Sequence, residues 1–277
     1  MSRYNFCMTS AQKLTEIFAL LWKDYSILNP QAQAIHKLLE GRGETVINDH
    51  VAFRTYNDPR IGLEVLAKAF KKYGYVEKDT YHFEEKKLLA KYYQHEDPKL
   101  PKVFISELLT EKFSSDVQKV VQDLIQQIDI KTIESDFFSV SGRPWKVDYI
   151  VYDQLSAISE YAAWMAAFGF RANHFTVNFN QLKSFNNLTE LNEFLKANGF
   201  KLNSSGGEIK GTPAECLEQS STLAAQVDCE FSDGTHKIPS CYYEFARRYP
   251  TKTGELYPGF IAASADKIFE STDRKAR

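Results

Sequence analysis

Cysteine is scarce in this sequence of 277 residues, and its four cysteines form neither a CxxC pair nor the dense pattern of a disulfide scaffold. This usage fits a reducing compartment and argues against a zinc ribbon. No apolar run approaches the roughly 18 residues of a membrane span, and the N-terminal segment lacks the apolar core of a signal peptide. We therefore expect a cytoplasmic protein with no membrane partner.

An excess of charge of either sign is also missing, because 34 basic and 36 acidic residues leave a formal net charge of -2. Duplex binding needs a basic field, so nucleic acid is not an expected partner. Hydrophobic residues make up 43% of the chain and aromatic residues 14%, which is ample for a buried core. A small molecule is the expected partner, and nothing in the sequence indicates an oligomeric state.

What the chain does contain is a repeated unit with one histidine near the start of each copy. The opening segments and the helices predicted after them are NDHVAFRT at 48–55 with a helix at 60–73, and ANHFTVNF at 172–179 with a helix at 188–197. His50 lies 24 residues, and His174 lies 25 residues, before the glycine that follows its helix. The histidines therefore occupy equivalent places, and both imidazoles can reach one metal ion if the copies pair face to face.

The sequence predicts a single domain over residues 1–277. Its parts are a helical preface at 1–44, module one at 45–110, a helical connection at 111–170, module two at 171–250 and a C-terminal tail at 251–277. Each module is predicted to run strand, helix and three strands, because alternating aromatic stretches follow each helix. The fold class is α+β. Further expectations are a strand at 146–152, a helix at 155–168 and an insertion at 203–221.

Side chains alternate along a strand, so the two faces of each opening strand can be separated. His174 shares a polar face with Thr176, while apolar residues occupy the other face. His50 shares its face with Arg54. A cavity on this side would hold a metal at one end and a guanidinium at the other, which suits a small carboxylate.

Two histidines rarely complete a metal site, and each module offers a carboxylate near its end. Glu107 lies in VFISELL and Glu244 in YYEFARR, where an unpaired charge is costly. Glu244 is the preferred ligand, and Glu107 is kept as an alternative fourth ligand. Two histidines, one carboxylate and open positions are typical of non-haem iron(II) oxygen chemistry, although zinc uses the same ligands as a Lewis acid.

Structural roles for these acids also remain open. Salt bridges are the alternative, with Arg247 or Arg248 for Glu244, and with Lys102 or Lys112 for Glu107, for which a structural role is favoured. Three polar residues are candidate substrate-binding groups, namely Lys210, Gln219 and Ser220. A helix beginning after Pro213 would account for several of these residues without any ligand.

Together these motifs resemble the DUF1338 family, and the doubled module resembles the vicinal oxygen chelate superfamily. The segments that carry the likeness are NDHVAFRT at 48–55, NHFT at 173–176, GEIKGTP at 207–213, QSS at 219–221 and YEFARR at 243–248. The resemblance covers most of the chain. It implies two βαβββ modules of the vicinal oxygen chelate type, which form a cupped mixed sheet around a metal site with additional helices.

The same resemblance implies an iron(II)-dependent 2-oxoadipate dioxygenase/decarboxylase, also called hydroxyglutarate synthase, of lysine breakdown. It implies His50, His174 and Glu244 as metal ligands and Arg54 as the catalytic residue that binds the distal carboxylate of the substrate. The expected partners are a 2-oxo acid and dioxygen, and the expected product from 2-oxoadipate is 2-hydroxyglutarate with carbon dioxide. Zinc, nickel or manganese can occupy such a ligand set in place of iron.

Two other function classes stay open at this stage. A redox-neutral metalloenzyme of the same superfamily, an isomerase or a hydrolase acting on a small carboxylate, would use the metal as a Lewis acid and favour a fourth ligand. A metal-free binding module would use the paired sheets to sequester a ligand, although the histidine and glutamate set argues against it. Metal content and oxygen consumption distinguish the three classes.

Overall fold

The computed structural model describes residues 9–272, so the outermost parts of the predicted preface and tail lie outside it. The helices are α1 (Ser10–Leu28), α2 (Pro30–Gly41), α3 (Leu63–Leu66), α4 (Lys68–Lys72), α5 (Ser115–Ile125), α6 (Ile130–Glu134), α7 (Tyr149–Ile158), α8 (Glu160–Phe168), α9 (Leu188–Ala197) and α10 (Ala262–Phe269). The strands are β1 (Asn48–Tyr56), β2 (Val76–Phe83), β3 (Leu88–Gln94), β4 (Lys102–Leu108), β5 (Ala172–Asn178), β6 (Lys210–Thr212), β7 (Leu217–Ser221), β8 (Gln226–Phe231), β9 (Gly234–Pro239) and β10 (Tyr242–Arg248). Within residues 9–272, no helix has both the length and the apolar character needed to cross a bilayer.

Eight of these strands form one curled mixed sheet in the order β2-β3-β4-β1-β5-β10-β7-β6. Four neighbouring strands come from each module, and the modules meet where β1 and β5 pair antiparallel. In each module the first strand pairs parallel with the last, β1 with β4 and β5 with β10. The predicted α+β fold with a cupped mixed sheet is confirmed.

The pairing between β1 and β5 is irregular at two places. Register shifts occur between Asn48 and His50 and between Ala52 and Phe53. Such irregularities bend a strand and change which side chains face each side of the sheet. They lie on either side of the short segment that carries His50.

The two faces of the sheet are covered by different helices. Phe175 points toward α1, where its ring centroid lies 5.2 Å from that of Trp22 and 5.0 Å from that of Tyr25. On the opposite face, Arg54 packs against Trp164 of α8, with the guanidinium 5.2 Å from the ring centroid. The face predicted to be polar is therefore enclosed by α8 and, beside it, by α10.

The predicted strand at residues 146–152 is wrong, because the segment enters helix α7 at Tyr149. A short alternating run does not distinguish a strand from a helix, and here the buried residues Tyr152 and Leu155 are three positions apart, as on a helix face. The helix predicted at 155–168 is two helices, which meet at Ser159. The Ser159 hydroxyl accepts a hydrogen bond from the backbone N–H of Ala162 and caps α8.

The predicted insertion at residues 203–221 is also misplaced. This segment contains β6 and β7, which are strands of module two itself, and the helix expected after Pro213 is only a 3₁₀ turn, Pro213–Glu215. The additional element is the hairpin of β8 and β9. It follows β7 and precedes β10 along the chain, and it forms a separate two-stranded sheet. In module one, the helix predicted at 60–73 is interrupted at Ala67 and forms α3 and α4.

Candidate metal centre

Three buried side chains from the central strands converge on one point. His50 lies on β1, His174 on β5 and Glu244 on β10, and their ligand atoms all lie within 4.8 Å of one another. One carboxylate oxygen of Glu244 is 3.6 Å from His50 Nε2, and the other is 3.3 Å from His174 Nε2. The structure thus brings together the three residues that the sequence nominates as metal ligands.

Strand register explains why these three side chains meet. Thr176 is the Cα partner of both neighbours, His50 on β1 and Glu244 on β10. His174 lies two residues before Thr176 and therefore on the same face of β5. The Thr176 hydroxyl lies 3.0 Å from His50 Nε2. Three adjacent strands consequently present one side chain each to the same small volume.

Both imidazoles are oriented by the residue that precedes them in the chain. His50 Nδ1 lies 2.9 Å from a carboxylate oxygen of Asp49, and His174 Nδ1 lies 3.1 Å from the side-chain oxygen of Asn173. An oxygen acceptor at Nδ1 keeps the proton on that nitrogen and leaves the Nε2 lone pair free for a cation. The arrangement therefore fits a metal ion bound through both Nε2 atoms and the carboxylate between them.

Asp49 is itself held by a buried arginine from the end of β10. Arg248 donates from Nε and Nη2 to the two oxygens of Asp49, each at 2.7 Å. Burial alone would raise the pKa of Asp49, but the charge and hydrogen bonds of Arg248 hold the pKa well below its ordinary range. Arg248 is thus the partner of Asp49, and its suggested pairing with Glu244 is wrong. Arg247 lies over the rings of Phe179 and Tyr249.

Burial also controls the protonation of the candidate ligands. It lowers the pKa of His174 well below the ordinary value, and the nearby charges of His50 and Arg54 lower the pKa further. It raises the pKa of Glu244, against the opposing charge of His50. Gln219 donates from Nε2 to Glu244 Oε1 at 2.6 Å and fixes the carboxylate. A neutral imidazole and a desolvated carboxylate are groups that a divalent cation would stabilise.

The equivalent of Glu244 in module one is Phe104. His50 is paired with Lys102 and His174 with Tyr242, so two residues further on Phe104 and Glu244 correspond. Phe104 lines the same cavity as the three candidate ligands. An apolar ring therefore occupies the place from which module one would supply a fourth ligand.

Glu107 is not a fourth ligand, which corrects that alternative. It lies three residues beyond Phe104 and so on the opposite face of β4, where it accepts a hydrogen bond from the backbone N–H of Leu63 at 2.8 Å. The carboxylate thereby satisfies a backbone donor at the start of α3. Burial raises the pKa of Glu107. Neither of the suggested lysine partners pairs with Glu107. The Nζ atom of Lys102 lies 3.8 Å from a carboxylate oxygen of Asp49, and the Nζ atom of Lys112 lies 3.2 Å from a carboxylate oxygen of Glu84.

Arg54 lies on the site face of β1 but is engaged by other residues. Nη1 donates to Glu160 at 2.8 Å and Nη2 donates to Thr272 at 3.0 Å, whereas Nε has no hydrogen-bond partner within the described residues. The guanidinium is 1% exposed and lies 4.8 Å from the ring centroid of Tyr161. The predicted substrate-binding arginine is therefore fully enclosed, and it is not among the residues that line the cavity at the three ligands.

The other three predicted substrate residues are placed differently. Gln219 lines the cavity, but its amide N–H is directed at Glu244. Ser220 is on the opposite face of β7 and donates to Asn192 of α9 at 2.9 Å, so the structure contradicts its assignment to the pocket. Lys210 is buried on β6 and donates to the Asn203 carbonyl at 2.6 Å, outside the residues that line the cavity.

The cavity at the three ligands is small, about 10 Å³, and is closed by the C-terminal segment. Phe260, Ile268 and Phe269 lie over it, and the Phe260 ring centroid is 4.8 Å from that of His50. Sequence reasoning missed this cover because nothing in a C-terminal tail indicates where it docks. It also missed Asp49, although the paired positions before the two histidines were a usable signal.

Comparisons with known proteins identify the family of this chain. The family model for the 2-oxoadipate dioxygenase/decarboxylase matches residues 1–135 and 136–256. A 2-oxoadipate dioxygenase/decarboxylase of Oryza sativa subsp. japonica, named as chloroplastic/amyloplastic, is 36% identical over 276 residues, which cover 90% of this chain and 76% of the relative.

Three solved structures share the fold of this chain. The hydroxyglutarate synthase of Oryza sativa in complex with 2-oxoadipate is 34% identical with a TM-score of 0.91, covering 96% of this chain and 94% of that one. A Shewanella frigidimarina protein described as a hydrolase is 55% identical with a TM-score of 0.86, covering 90% and 98%. A glyoxalase superfamily protein of Ralstonia eutropha, 20% identical over 94% of this chain and 89% of its own, shares the fold with a TM-score of 0.73.

Proposed function

Since the chain belongs to the 2-oxoadipate dioxygenase/decarboxylase family, we propose that it converts 2-oxoadipate and dioxygen into 2-hydroxyglutarate and carbon dioxide with iron(II) as its metal. The equation balances, because one oxygen molecule supplies the atoms needed to release one carbon as carbon dioxide and leave a five-carbon hydroxy acid. The proposal extends to this chain the activity by which its relatives are named.

The observation that carries the proposal is the convergence of His50, His174 and Glu244, with Phe104 at the equivalent fourth position. Three ligands on one side of an octahedral ion leave room for a chelating 2-oxo acid and for dioxygen. An additional carboxylate at Phe104 would occupy one of those positions. The ligand count therefore favours oxygen chemistry over a closed Lewis-acid site.

Bound iron would supply dioxygen activation together with a Lewis acid for the keto acid. The residues of the chain would orient the metal ligands and exclude water. Asp49 and Asn173 hold the imidazoles with Nε2 toward the common point, and Gln219 holds Glu244. The rings of Phe104 and Phe260 line the cavity and exclude water from it. Exclusion of water would prevent side reactions during oxygen chemistry.

Arg54 would bind the distal carboxylate of the substrate. Its guanidinium is planar and permanently charged, and it lies close enough to influence the pKa of His174. Because this carboxylate stays remote from the reacting carbon, Arg54 would act on affinity and placement. The separation between Arg54 and the ligands would then select the chain length of the dicarboxylate.

The test is to load the protein with iron(II) without oxygen and then to follow oxygen uptake with 2-oxoadipate and with 2-oxoglutarate, while the hydroxy acid is assayed. We expect oxygen consumption and 2-hydroxyglutarate in equal amounts with 2-oxoadipate. Absence of turnover with any 2-oxo acid would contradict the proposal. Measurement of metal content in the protein as purified tests iron against zinc, nickel and manganese. The cytoplasmic location expected from the sequence stays a prediction.

A second candidate is a redox-neutral hydrolase, which is favoured by the description of the Shewanella frigidimarina protein that is 55% identical. Such an enzyme would form product at the same rate with or without oxygen. Oxygen-independent turnover of a small carboxylate would therefore replace the dioxygenase proposal with this one.

A further inference from the structure

The cavity at the metal centre and a larger surface pocket have one lining residue in common. The surface pocket, which we call the access pocket, has a volume of about 280 Å³ and includes Lys86, Lys87, Glu160 and Tyr161 in its lining. Phe269 of α10 lines both the access pocket and the cavity of about 10 Å³ beside the candidate ligands. A cavity of that size holds about one water molecule, so Phe269 would have to move before a six-carbon dicarboxylate could enter from the access pocket.

Glu160 connects the access pocket to Arg54. Its carboxylate is about one quarter exposed on the pocket side, while Oε1 accepts the hydrogen bond from Arg54 Nη1 at 2.8 Å. The guanidinium itself is fully buried, and its Nε has no partner within residues 9–272. Glu160 thus binds the arginine in the manner expected of a ligand carboxylate, through one N–H of a fork that can bind two oxygens.

On this basis we infer that Glu160 is an internal competitor for Arg54. The distal carboxylate of a 2-oxo dicarboxylic acid enters through the access pocket, passes Phe269 and displaces Glu160 from the guanidinium. This inference rests on the proposed function for the identity of the substrate. It adds a specificity role for Glu160, because only a ligand with a second carboxylate can replace the one that leaves Arg54.

Charged side chains of both signs surround the access pocket. Lys86 Nζ is 3.9 Å from Asp266 of α10, a distance at which the ion pair is weak, and the side chain is 28% exposed. Lys87 lies over the ring of Phe113 at 4.2 Å. The two lysines share the lining with Glu85 and Glu160, and they are the groups that would contact the carboxylates of an entering dianion. A released Glu160 would enter the access pocket, where Lys86 and Lys87 are the available cations.

Competition of this kind has a measurable consequence. If Glu160 occupies Arg54 for most of the time, the apparent dissociation constant of a dicarboxylate is raised by the reciprocal of the free fraction. Glu160→Gln weakens the competitor while preserving the size of the side chain. We expect this variant to bind glutarate, a dicarboxylate without the keto group, about 3 to 10 times more tightly in metal-free protein.

Trp164 provides the signal, because its ring centroid lies 5.2 Å from the Arg54 guanidinium. Glutarate titrations are followed by tryptophan fluorescence and by calorimetry, and Trp164→Phe identifies the fluorescence that belongs to this site. Glu193→Gln is the matched control, since it removes an exposed carboxylate paired with Lys196 at 2.7 Å on α9. Glu160→Asp keeps the charge on a shorter side chain, and we expect an affinity between those of the wild type and Glu160→Gln.

In the iron-loaded enzyme, the KM for 2-oxoadipate should fall by the same factor in Glu160→Gln, with the change carried by KM and not by kcat. Unchanged or weaker glutarate binding in both Glu160 variants would overturn the inference, since a purely structural Glu160 would disturb Arg54 when altered. The failure of the proposed function would look different. The wild type would then consume no oxygen with 2-oxoadipate, whereas glutarate binding to metal-free protein would still report on Arg54 and Glu160.

Discussion

Asp49 and Asn173 occupy the same place behind His50 and His174, but only Asp49 carries a charge. Each contacts the Nδ1 atom of the histidine that follows it, at 2.9 Å and 3.1 Å respectively. The charged member is paired with Arg248, whereas the side-chain nitrogen of Asn173 has no partner in the described part of the chain. The hydrogen bond at Nδ1 is therefore assisted by a charge at His50 and not at His174.

This asymmetry leads to a prediction for Asp49→Asn. Loss of the carboxylate weakens the support of His50, and we expect metal affinity to fall about 10 to 100-fold. Arg248 loses its buried counter-ion as well, so the free energy of unfolding should fall by about 3 kcal/mol. Metal titration and chemical denaturation measure the two effects. Asn173→Asp is the control, in which metal binding should persist. Unchanged metal affinity in Asp49→Asn would refute the assigned role.

Phe104 is the counterpart of Glu244 in module one, and the variant Phe104→Glu tests whether this position faces the metal. A second carboxylate there would complete a four-ligand site, so we expect metal to be retained while oxygen consumption falls by about 100-fold or more. Phe104→Leu keeps the position apolar and should retain most of the activity. Metal analysis and oxygen uptake are the measurements. Full oxygenase activity in Phe104→Glu would show that the position does not face the metal.

Removal of Arg54 should separate substrate binding from metal binding. In Arg54→Ala we expect iron content to be unchanged and the KM for 2-oxoadipate to rise by about 100-fold, because a charged hydrogen-bonded pair with the distal carboxylate is lost. Arg247→Ala is a matched control, since Arg247 is on β10 and contacts two aromatic rings away from the cavity. Loss of iron from Arg54→Ala would contradict the assignment.

The two glutamates that the sequence nominated should behave differently when neutralised. Glu244→Gln removes the anionic ligand, and we expect metal binding to be lost at micromolar concentrations. Glu107→Gln should retain the metal, because the side chain serves the Leu63 N–H on the other face of the sheet. Metal content after dialysis distinguishes them. Equal loss of metal from both variants would restore Glu107 as a ligand.

Stability in acid should depend on Asp58. Hydrogen bonds from the Arg60 side chain lower the pKa of Asp58 to about 2, from 3.8 in an unstructured chain, and Gln122 adds to the effect. A lowered carboxyl pKa stabilises the fold above pH 3.8, and the contribution is lost as the pH falls toward about 2. Because the Arg60 side chain is 42% exposed and solvent weakens the pair, Asp58→Asn should cost about 1 kcal/mol near neutral pH.

The difference in Tm between wild type and Asp58→Asn is expected to shrink as the pH is lowered from about 5 to about 2.5. Thermal unfolding followed by circular dichroism provides the measurement. A difference that stays constant over this range would mean that the ionised form of Asp58 contributes nothing. Glu193→Gln again serves as an exposed control, in which little change is expected at any pH.

The fold and the three candidate ligands could be predicted because they depend on local patterns and on repetition. Alternation in β1 and β5 places His50 and His174 on one face, and the repeat makes them equivalent. The same rule, applied to β7 and β4, would have separated Gln219 from Ser220 and Phe104 from Glu107. Ser220 was wrongly assigned to the pocket, and Glu107 stayed an alternative ligand, because the strand boundaries were not known well enough to decide which residues share a face.

Contacts between distant parts of the chain could not be predicted in the same way. Asp49 and Arg248 are 199 residues apart, and Arg54 and Glu160 are 106 apart. Opposite charges are common along the sequence, so charge alone does not select these pairs. The position of α10 over the cavity likewise depends on tertiary packing, which the sequence of one short helix does not indicate.

The irregular pairing of β1 with β5 decides where this protein tolerates changes in length. Adding or deleting one amino acid within 48–54 or 172–178 would turn an imidazole from the buried site toward the aromatic layer under α1, even if the chain still folded. The turn at 232–233, at the tip of the separate hairpin, is free of that constraint. Homologous sequences should therefore keep the spacing of the first two segments unaltered and vary in length at the hairpin.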